Sequence, residues 1–211
     1  MKFKGAIFDL DGVICFTDEL HYQAWKLLAD RLGIYFDKEI NNRLRGVSRM
    51  ESLDIILERS NIAYSQEEKN AFAAEKNENY VKSLSSMSEK DVDETVVNSL
   101  KALRSFGVKL SIGSSSKNAK TILGRLGITE LFDAVSDGTN ITKSKPDPEV
   151  FLKAAEFLGL KPEECLVVED AKAGIDAAKA GGFTAVGIGE AAEYEKTDYP
   201  IKSLKDLLAI V

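Results

Sequence analysis

The chain has 211 residues, 44% of them hydrophobic, so it can bury a sizeable core as one large domain or as a domain with an insertion. Its formal net charge of −6 argues against broad binding to nucleic acid or to an anionic membrane surface, because both need a basic face. Two cysteines far apart in sequence suggest neither a disulfide framework nor a zinc site. We therefore expect a cytoplasmic protein with no nucleic-acid or membrane partner.

A short apolar run, residues 6–8, is typical of a buried β-strand and is followed at once by the carboxylates of Asp9 and Asp11. Carboxylates separated by one residue point to opposite sides of an extended chain, so one could attack while the other moves a proton. An acidic turn without function explains these residues equally well. The same carboxylates interrupt the apolar run too early for a signal peptide, and we expect none.

The next part of the chain, from about residue 18 to residue 83, has a helical pattern and no convincing strand. Apolar residues at helical spacing predict a first helix that ends at Gly33, with Thr17 or Asp18 suited to cap its start. Further helices are predicted over 52–59 and 67–84. The polar residues 83–93 are predicted to form a return linker.

After about residue 92 the pattern changes to alternating strands and helices. Strands are predicted at 108–112, 134–135, 166–168 and 185–188, and helices at 97–103, 119–126, 151–158 and 173–180. Short connections that contain glycine imply parallel strands joined by crossover helices.

These two patterns together predict an α/β fold with a Rossmann-like parallel-sheet core and a helical cap domain inserted after the first strand. The core would comprise residues 1–16 and 88–211, and the cap residues 17–87. Because the cap leaves the core directly after the Asp9 turn, we expect it to lie over the carboxyl ends of the strands.

Residues that follow parallel strands should converge at one edge of the sheet. Four groups stand at these positions: the Asp9/Asp11 pair, the hydroxyl-rich turn 113–118, Lys145 in the stretch 143–146, and the Glu169/Asp170 pair. A carboxylate nucleophile, hydroxyl and amide donors, a fixed cation and ligands for a hard metal are the parts of a phosphoryl-transfer site, in which Asp9 would form an aspartyl-phosphate.

Each group alone also has an ordinary structural explanation. Lys145 could be a surface lysine, residues 114–116 a helix-entry turn, and the Glu169/Asp170 pair a favourable start for the next helix. Because all four groups stand at predicted strand ends, one functional site explains them better than four separate structural roles.

In this ordered set of motifs the chain resembles the haloacid dehalogenase-like hydrolase superfamily over nearly its whole length. The positions that carry the resemblance are Asp9-Leu10-Asp11-Gly12-Val13, Ser114, Lys145 and Glu169-Asp170. The resemblance implies that Asp9 is the nucleophile and Asp11 the general acid and base. It implies that Ser114 and Lys145 hold the phosphoryl oxygens. It also implies Mg²⁺ as cofactor, held by Asp9, the backbone carbonyl of Asp11, Glu169 and Asp170.

The predicted cap resembles that of the β-phosphoglucomutase family. The positions concerned are His21, Trp25, the run Arg45-Gly46-Val47-Ser48-Arg49, and Lys76. In that family an aspartyl-phosphate enzyme passes its phosphoryl group to a hexose phosphate, and the resulting bisphosphate reorients and returns the other phosphate. Such a cycle needs a second anion site away from the metal. Guanidinium, ammonium and turn N–H groups bind phosphate well, and Arg49, Ser116, Lys117 and Asn118 could form that site.

Several cap residues keep an ordinary interpretation beside the functional one. His21 is the only histidine and could be merely packed or solvated; by resemblance it couples cap closure to Asp11, helped by Lys76. The Gly46-Val47 pair is either a turn between helices or a point where the backbone approaches the sugar closely. Trp25 is either core or part of the substrate-binding wall.

The chain departs from the family pattern at two positions. Phe16 stands where an acidic residue is common, at the exit from the core to the cap, and Ala171 stands where a serine commonly follows the acidic pair. The first departure puts hinge behaviour and sugar contacts in doubt, and the second removes a hydroxyl from the metal loop. Neither residue is an implied metal or phosphoryl ligand, so we expect activity to persist.

The leading functional interpretation is a monomeric, Mg²⁺-dependent phosphomutase whose substrate is a small hexose phosphate. A sugar-phosphate or phosphoglycolate-type phosphatase would use the same Asp9 and Asp11 but let water accept the phosphoryl group. A non-catalytic binding module of the same fold is the third alternative. The joint presence of Asp9, Ser114 and Lys145 speaks against it, because a binding module needs no nucleophile.

Overall fold

A single parallel sheet of six strands runs through the computed structural model, which describes residues 2–44 and 47–211. The strands are β1 Gly5–Phe8, β2 Lys109–Gly113, β3 Ala134–Ser136, β4 Cys165–Glu169, β5 Thr184–Gly187 and β6 Tyr199–Pro200. Their order across the sheet is β3-β2-β1-β4-β5-β6. This is the Rossmann order, and it confirms the predicted α/β class.

Eight α-helices occur within the described residues. They are α1 Asp18–Arg31, α2 Lys38–Asn42, α3 Arg49–Leu57, α4 Gln66–Ser83, α5 Glu94–Ser105, α6 Ala119–Arg125, α7 Glu149–Leu158 and α8 Lys172–Ala180. Short 3₁₀ turns connect several of them. Among these helices of the described chain, none combines the length and the apolar composition that crossing a bilayer requires.

The central strand β1 determines where a site can form. It pairs with β2 on one side and β4 on the other, so that Ala6 lies beside both Leu110 and Leu166. The strand order reverses between β1 and β4, and ligands of open α/β sheets bind in the crevice beyond the carboxyl ends at such a point. Asp9 directly follows β1 and therefore lies at this crevice.

Two apolar clusters cover the two faces of the sheet. Successive residues of a strand point to opposite faces, so Phe8 packs with Leu110 and Leu100 of α5 on one face. Ile7 packs on the other face with Phe151 of α7 and Ile175 of α8. Both faces are thus closed by helices, as a parallel sheet requires.

A third apolar cluster lies among helices α1–α4 and joins Trp25, Leu28, Phe36 and Leu53. Tyr80, near the end of α4, packs instead in the cluster that contains Phe8. Helix α4 therefore contacts both the helical region and the sheet region. The division of the chain at residues 16/17 and 87/88 stays a prediction.

Element boundaries differ from the predicted ones where local capping decides them. The helix predicted over 52–59 begins at Arg49, because Ser48 and Glu51 form a capping box in front of it. The predicted linker 83–93 contains two 3₁₀ turns, and Leu84 and Met87 are buried within it. Helix α2 and the two-residue strand β6 have no counterpart among the predicted elements, because segments this short carry no periodicity.

Two glycines should respond in opposite ways to alanine, as measured by urea unfolding. A Cβ on Gly113 would lie 2.6 Å from a ring carbon of Phe151, so we expect Gly113→Ala to cost about 1–3 kcal/mol. A Cβ on Gly124 in α6 would meet nothing within 4 Å, and we expect Gly124→Ala to stabilise by about 0.5–1 kcal/mol. Equal effects of the two substitutions would contradict the packing of β2 against α7.

Candidate active site

A cavity of about 570 Å³ opens between the carboxyl edge of the sheet and helices α1, α3 and α4. Of the predicted site residues, those that line it are Asp9, Asp11, His21, Trp25, Val47, Arg49, Lys76, Ser114, Ser116, Lys117, Asn118, Lys145, Glu169 and Asp170. Gly46 lies outside the described residues. The four strand-end groups and the cap residues thus face one space.

The ammonium of Lys145 joins two strand ends at the floor of the cavity. It donates to Asp9 Oδ1 and, at 2.5 Å, to Glu169 Oε1. Lys145 is only 1% exposed. Burial alone would lower its pKa, but the carboxylates of Asp9 and Glu169 outweigh that effect and raise the pKa of Lys145. Lys145 therefore carries a fixed positive charge beside Asp9.

Three carboxylates at this edge offer ligand atoms to a metal. Oxygens of Asp9, Glu169 and Asp170 all lie within 4.8 Å of one another. Burial raises the pKa of Glu169 to about 7 against the opposing effect of Lys145. Three carboxylates against one ammonium leave net negative charge, and carboxylate oxygens are ligands that Mg²⁺ prefers. The donor set therefore fits a divalent cation; the Asp11 carbonyl as a further ligand stays a prediction.

Two glycines leave space for these carboxylates. Gly12 has a φ of +86°, and a Cβ there would overlap the carboxylate of Asp170. A Cβ on Gly174 in α8 would overlap the carboxylate of Glu169. The sequence reasoning missed Gly174; a glycine one turn after an acidic pair, inside a helix, is the signal that could have found it.

Asp11 is held by a chain of two hydroxyls. Thr17 Oγ1 donates to Asp11 Oδ1, and the hydroxyl of Tyr80 donates to Thr17 Oγ1 at 3.1 Å. Burial raises the pKa of Asp11 to about 7, Thr17 opposes the shift, and the charge of Asp9 adds to it. A carboxyl that titrates near 7 can both give and take a proton at neutral pH.

Thr17 occupies the N-cap position of α1, as one of the two residues predicted to cap this helix, but its side chain makes no capping hydrogen bond. Its hydroxyl instead donates to Asp11 and accepts from Tyr80. Tyr80, which completes this chain from α4, was not predicted. Its partner is 63 residues away in sequence, and no local pattern indicates it.

His21 and Lys76 form a buried contact on the cap side of the cavity. Lys76 Nζ lies 2.8 Å from His21 Nδ1, and the His21 ring stacks on Tyr80 with centroids 4.0 Å apart. Burial, with the nearby charges of Lys76 and Arg49, lowers the pKa of His21 well below its usual value. His21 is therefore neutral beside Lys76 Nζ. Its coupling to Asp11 stays a prediction.

Lys76 is enclosed by aromatic rings, with its Nζ 4.7 Å from the centroids of both Trp25 and Tyr80. Burial lowers the pKa of Lys76 to about 7, the charge of Arg49 adds to this shift, and Asp11 opposes it. Burial also lowers the pKa of Arg49. Lys76 and Arg49 therefore both line the cavity, and burial disfavours the charged form of each. An anion bound near them would stabilise their charged forms.

Local hydrogen bonds hold the turn after β2. Ser114 Oγ accepts from the Ser116 N–H at 3.1 Å, and Ser116 Oγ accepts from the Asn118 N–H at 3.2 Å. The backbone carbonyl of Ser116 accepts from the Gly138 N–H at 3.1 Å. The Asn118 side chain donates to Asn77 Oδ1 on α4 at 3.0 Å, and Asn77 was not predicted.

The two departures from the family pattern have different surroundings. The Phe16 residue is 79% exposed at the start of the helical region. Ala171 lines the cavity, and its N–H donates to Glu169 Oε2 at 3.0 Å. Helix α8 begins after Ala171 without a side-chain cap, which a serine there could supply.

Replacement of Gly174 by alanine should displace the Glu169 carboxylate and weaken Mg²⁺ binding by more than about tenfold, as measured by titration calorimetry. Gly124→Ala, which changes the same residue type where no atom lies within 4 Å, is the control and should leave Mg²⁺ affinity unchanged. Unchanged affinity in Gly174→Ala would argue against Glu169 as a ligand.

The lowered pKa of Lys76 should appear as a pH dependence of stability. Its usual pKa of 10.5 returns on unfolding, so between about pH 7 and 10 the unfolded chain binds more protons and stability rises with pH. Relative to Lys76→Met, the wild type should gain about 1.4 kcal/mol per pH unit between about pH 7.5 and 9 in urea unfolding.

The control for this measurement is Lys82→Met, which removes an exposed lysine of the same helix. Its stability difference from wild type should not vary with pH. A constant difference for Lys76→Met as well would contradict the lowered pKa of Lys76.

Comparison with known proteins adds independent evidence. A model of the hydrolase family described as haloacid dehalogenase-like hydrolase matches residues 3–182. β-Phosphoglucomutase of Bacillus subtilis (strain 168) is 40% identical over 206 residues, covering 97% of this chain and 91% of that protein. Fructose-1-phosphate phosphatase YqaB of Escherichia coli (strain K12) is 33% identical over 187 residues, covering 89% and 97%.

A solved structure agrees with the sequence matches. The crystal structure of β-phosphoglucomutase from Clostridium difficile superposes with a TM-score of 0.92 at 40% identity, covering 97% of this chain and 93% of that chain. The family match includes the Asp9 turn, Ser114, Lys145 and the Glu169/Asp170 pair, which meet in one cavity. The chain is therefore an enzyme that belongs to the haloacid dehalogenase-like hydrolase family.

Proposed function

We propose that this chain is a Mg²⁺-dependent β-phosphoglucomutase. It would interconvert β-D-glucose 1-phosphate and D-glucose 6-phosphate through a phosphorylated Asp9 and β-glucose 1,6-bisphosphate. The observation that carries the proposal is a cavity lined by Lys145, which contacts Asp9, with Ser114, and also by further cationic and polar residues, Arg49, Lys76 and the turn 116–118. The 40% identity to the Bacillus subtilis mutase over 97% of the chain supports it.

In this mechanism phosphorylated Asp9 donates its phosphoryl group to the C6 hydroxyl of β-glucose 1-phosphate. The bond from Asp9 oxygen to phosphorus breaks as the bond from C6 oxygen forms, and Asp11 takes the hydroxyl proton. The bisphosphate then reorients. Asp9 attacks the C1 phosphate, glucose 6-phosphate leaves, and Asp11 returns the proton to the C1 oxygen.

The negative charge of the transferring phosphoryl group would be neutralised mainly by side chains of this chain. Lys145 and the Ser114 hydroxyl would bind the phosphoryl oxygens, which reduces repulsion between the phosphate and Asp9. Mg²⁺, held by Asp9, Glu169, Asp170 and the Asp11 carbonyl, would supply further charge neutralisation when bound.

The cap residues would decide which molecule accepts the phosphoryl group. Arg49, Ser116, Lys117 and Asn118 would hold the remote phosphate, while Trp25 and Val47 contact the sugar. Closure of the cap would exclude water and so protect the aspartyl-phosphate from hydrolysis. His21 and Lys76 would link that closure to Asp11.

We further propose the organisation that this function needs. Residues 17–87 form the cap, residues 1–16 and 88–211 form the core, and the enzyme acts as a monomer in the cytoplasm on a small hexose phosphate. The separate apolar cluster of α1–α4 supports a distinct cap.

A sugar-phosphate phosphatase is the second candidate. It is supported by the 33% identity to fructose-1-phosphate phosphatase YqaB and by 30% identity over 182 residues to the phosphorylated carbohydrates phosphatase of Thermotoga maritima. Such an enzyme would use the same Asp9 and Asp11, with water in place of the sugar hydroxyl. A non-catalytic role is the least supported, because it gives no reason for the charged cluster around Asp9.

The test is a time course with β-glucose 1-phosphate, Mg²⁺ and a trace of glucose 1,6-bisphosphate, in which glucose 6-phosphate and inorganic phosphate are measured together. We expect glucose 6-phosphate to form much faster than phosphate. Phosphate release without glucose 6-phosphate would favour the phosphatase. Asp9→Asn should abolish both products while its circular dichroism stays that of the wild type, because the nucleophilic oxygen is lost at constant size.

The matched control is Asp30→Asn, the same change on the exposed face of α1, which should retain wild-type turnover. Full turnover by Asp9→Asn would contradict the assignment of Asp9 as nucleophile.

A further inference from the structure

The side chain of Asn118 does not do what its position predicts. Asn118 stands at the N-cap of α6, where asparagine commonly accepts a backbone N–H, yet its side chain makes no capping hydrogen bond. Its amide instead donates to Asn77 Oδ1 at 3.0 Å, across to helix α4. The Asn118 side chain thus makes a contact between two distant parts of the chain instead of a local capping hydrogen bond.

This contact fixes the direction of the Asn118 amide. An amide NH₂ has two hydrogens, and Asn77 accepts one of them. Asn118 also lines the cavity, where its second amide hydrogen would serve an acceptor of the bound substrate. Without Asn77 the Asn118 side chain would be able to rotate or return to cap α6, and the donor would turn away from the cavity.

The contact also joins helix α4 to the turn 116–118. Asn77 directly follows Lys76, whose Nζ contacts His21 of helix α1 on the same side of the cavity. The turn itself is held from the other side, because the Ser116 carbonyl accepts from Gly138. The turn is thus supported on both sides, by Asn77 and by the loop after β3.

We propose that Asn77 is a positioning residue for the remote phosphate of the bound sugar phosphate: it directs the Asn118 amide into the cavity and couples the place of α4 to the turn 116–118. This inference rests on the proposed function, since only a substrate with a second phosphate needs that site. Asn77 itself does not touch the reacting atoms. It acts through Asn118.

The test compares Asn77→Ala, Asn118→Ala and the double variant in the glucose 6-phosphate assay. We expect Asn77→Ala to raise KM for β-glucose 1-phosphate about tenfold, the effect of one hydrogen bond to a charged group, with kcat changed much less. Because both residues act through one amide, the double variant should be no worse than Asn118→Ala alone. Asn77→Leu, which fills the space without an acceptor, should have the same effect as Asn77→Ala.

Two controls separate positioning from general damage. p-Nitrophenyl phosphate would place its only phosphate at Asp9 and leave the remote site without one. Its hydrolysis therefore reports on the groups around Asp9 and should stay within about twofold of wild type in Asn77→Ala. Asn79→Ala makes the same change two positions along α4, at a residue outside the cavity lining, and should behave as wild type.

The outcomes are distinguishable. Wild-type enzyme that releases phosphate but forms no glucose 6-phosphate contradicts the proposed function, and the role of Asn77 falls with it. Wild-type mutase activity together with an unchanged KM in Asn77→Ala, or with effects of the two substitutions that simply add, overturns the role of Asn77 alone.

Discussion

The ion cluster of Lys145 with Asp9 and Glu169 is the constraint on which the rest of the structure depends. Two carboxylates and an ammonium are buried together, and each would be costly in isolation. They are tolerated because β1 and β4 are neighbours, so the residues after Phe8 and Val168 come side by side. Removal of one partner from such a cluster typically costs about 3–5 kcal/mol, because the other charges stay buried. The positive charge of Lys145 would attract a phosphoryl group to Asp9, and the carboxylates would attract a divalent cation, as proposed for this site.

A second polar cluster, on the cap side, depends on helix α4. Lys76 contacts His21, and Tyr80 reaches Asp11 through the Thr17 hydroxyl. Tyr80 packs with the core cluster while residues nearer the start of α4 pack in the cap cluster. Asp11, the proposed general acid and base, is therefore held through Thr17 and Tyr80 and not by the sheet region alone, which gives a physical route from the position of α4 to Asp11.

Sequence reasoning located the residues whose positions are set by the regularity of the sheet. Asp9, Ser114 and Glu169 were found because parallel strands bring their carboxyl ends to one edge, whatever the details of packing. Lys145 was predicted at a strand end as well, but it lies in the loop between β3 and α7, and only the ordered set of motifs indicated it. Asn77 and Tyr80 were missed because their roles depend on how a helix docks, and a hydrogen bond across 41 or 63 residues has no periodic signature. Thr17 was predicted, beside Asp18, only as a helix cap, because local patterns cannot show tertiary hydrogen bonds such as those to Asp11 and Tyr80.

The rotational position of helix α4 limits how the sequence of this helix can change. Three successive contacts, at Lys76, Asn77 and Tyr80, depend on the rotational phase of one helix, and a single inserted residue upstream would rotate them by about 100°. Insertions would keep this phase only if they fall before Ser65, where a capping box begins the helix. Ala74 and Asn70 line the cavity about one and two turns before Asn77 on α4. Substitutions at these two positions would change the shape of the cavity while the phase of the helix is kept.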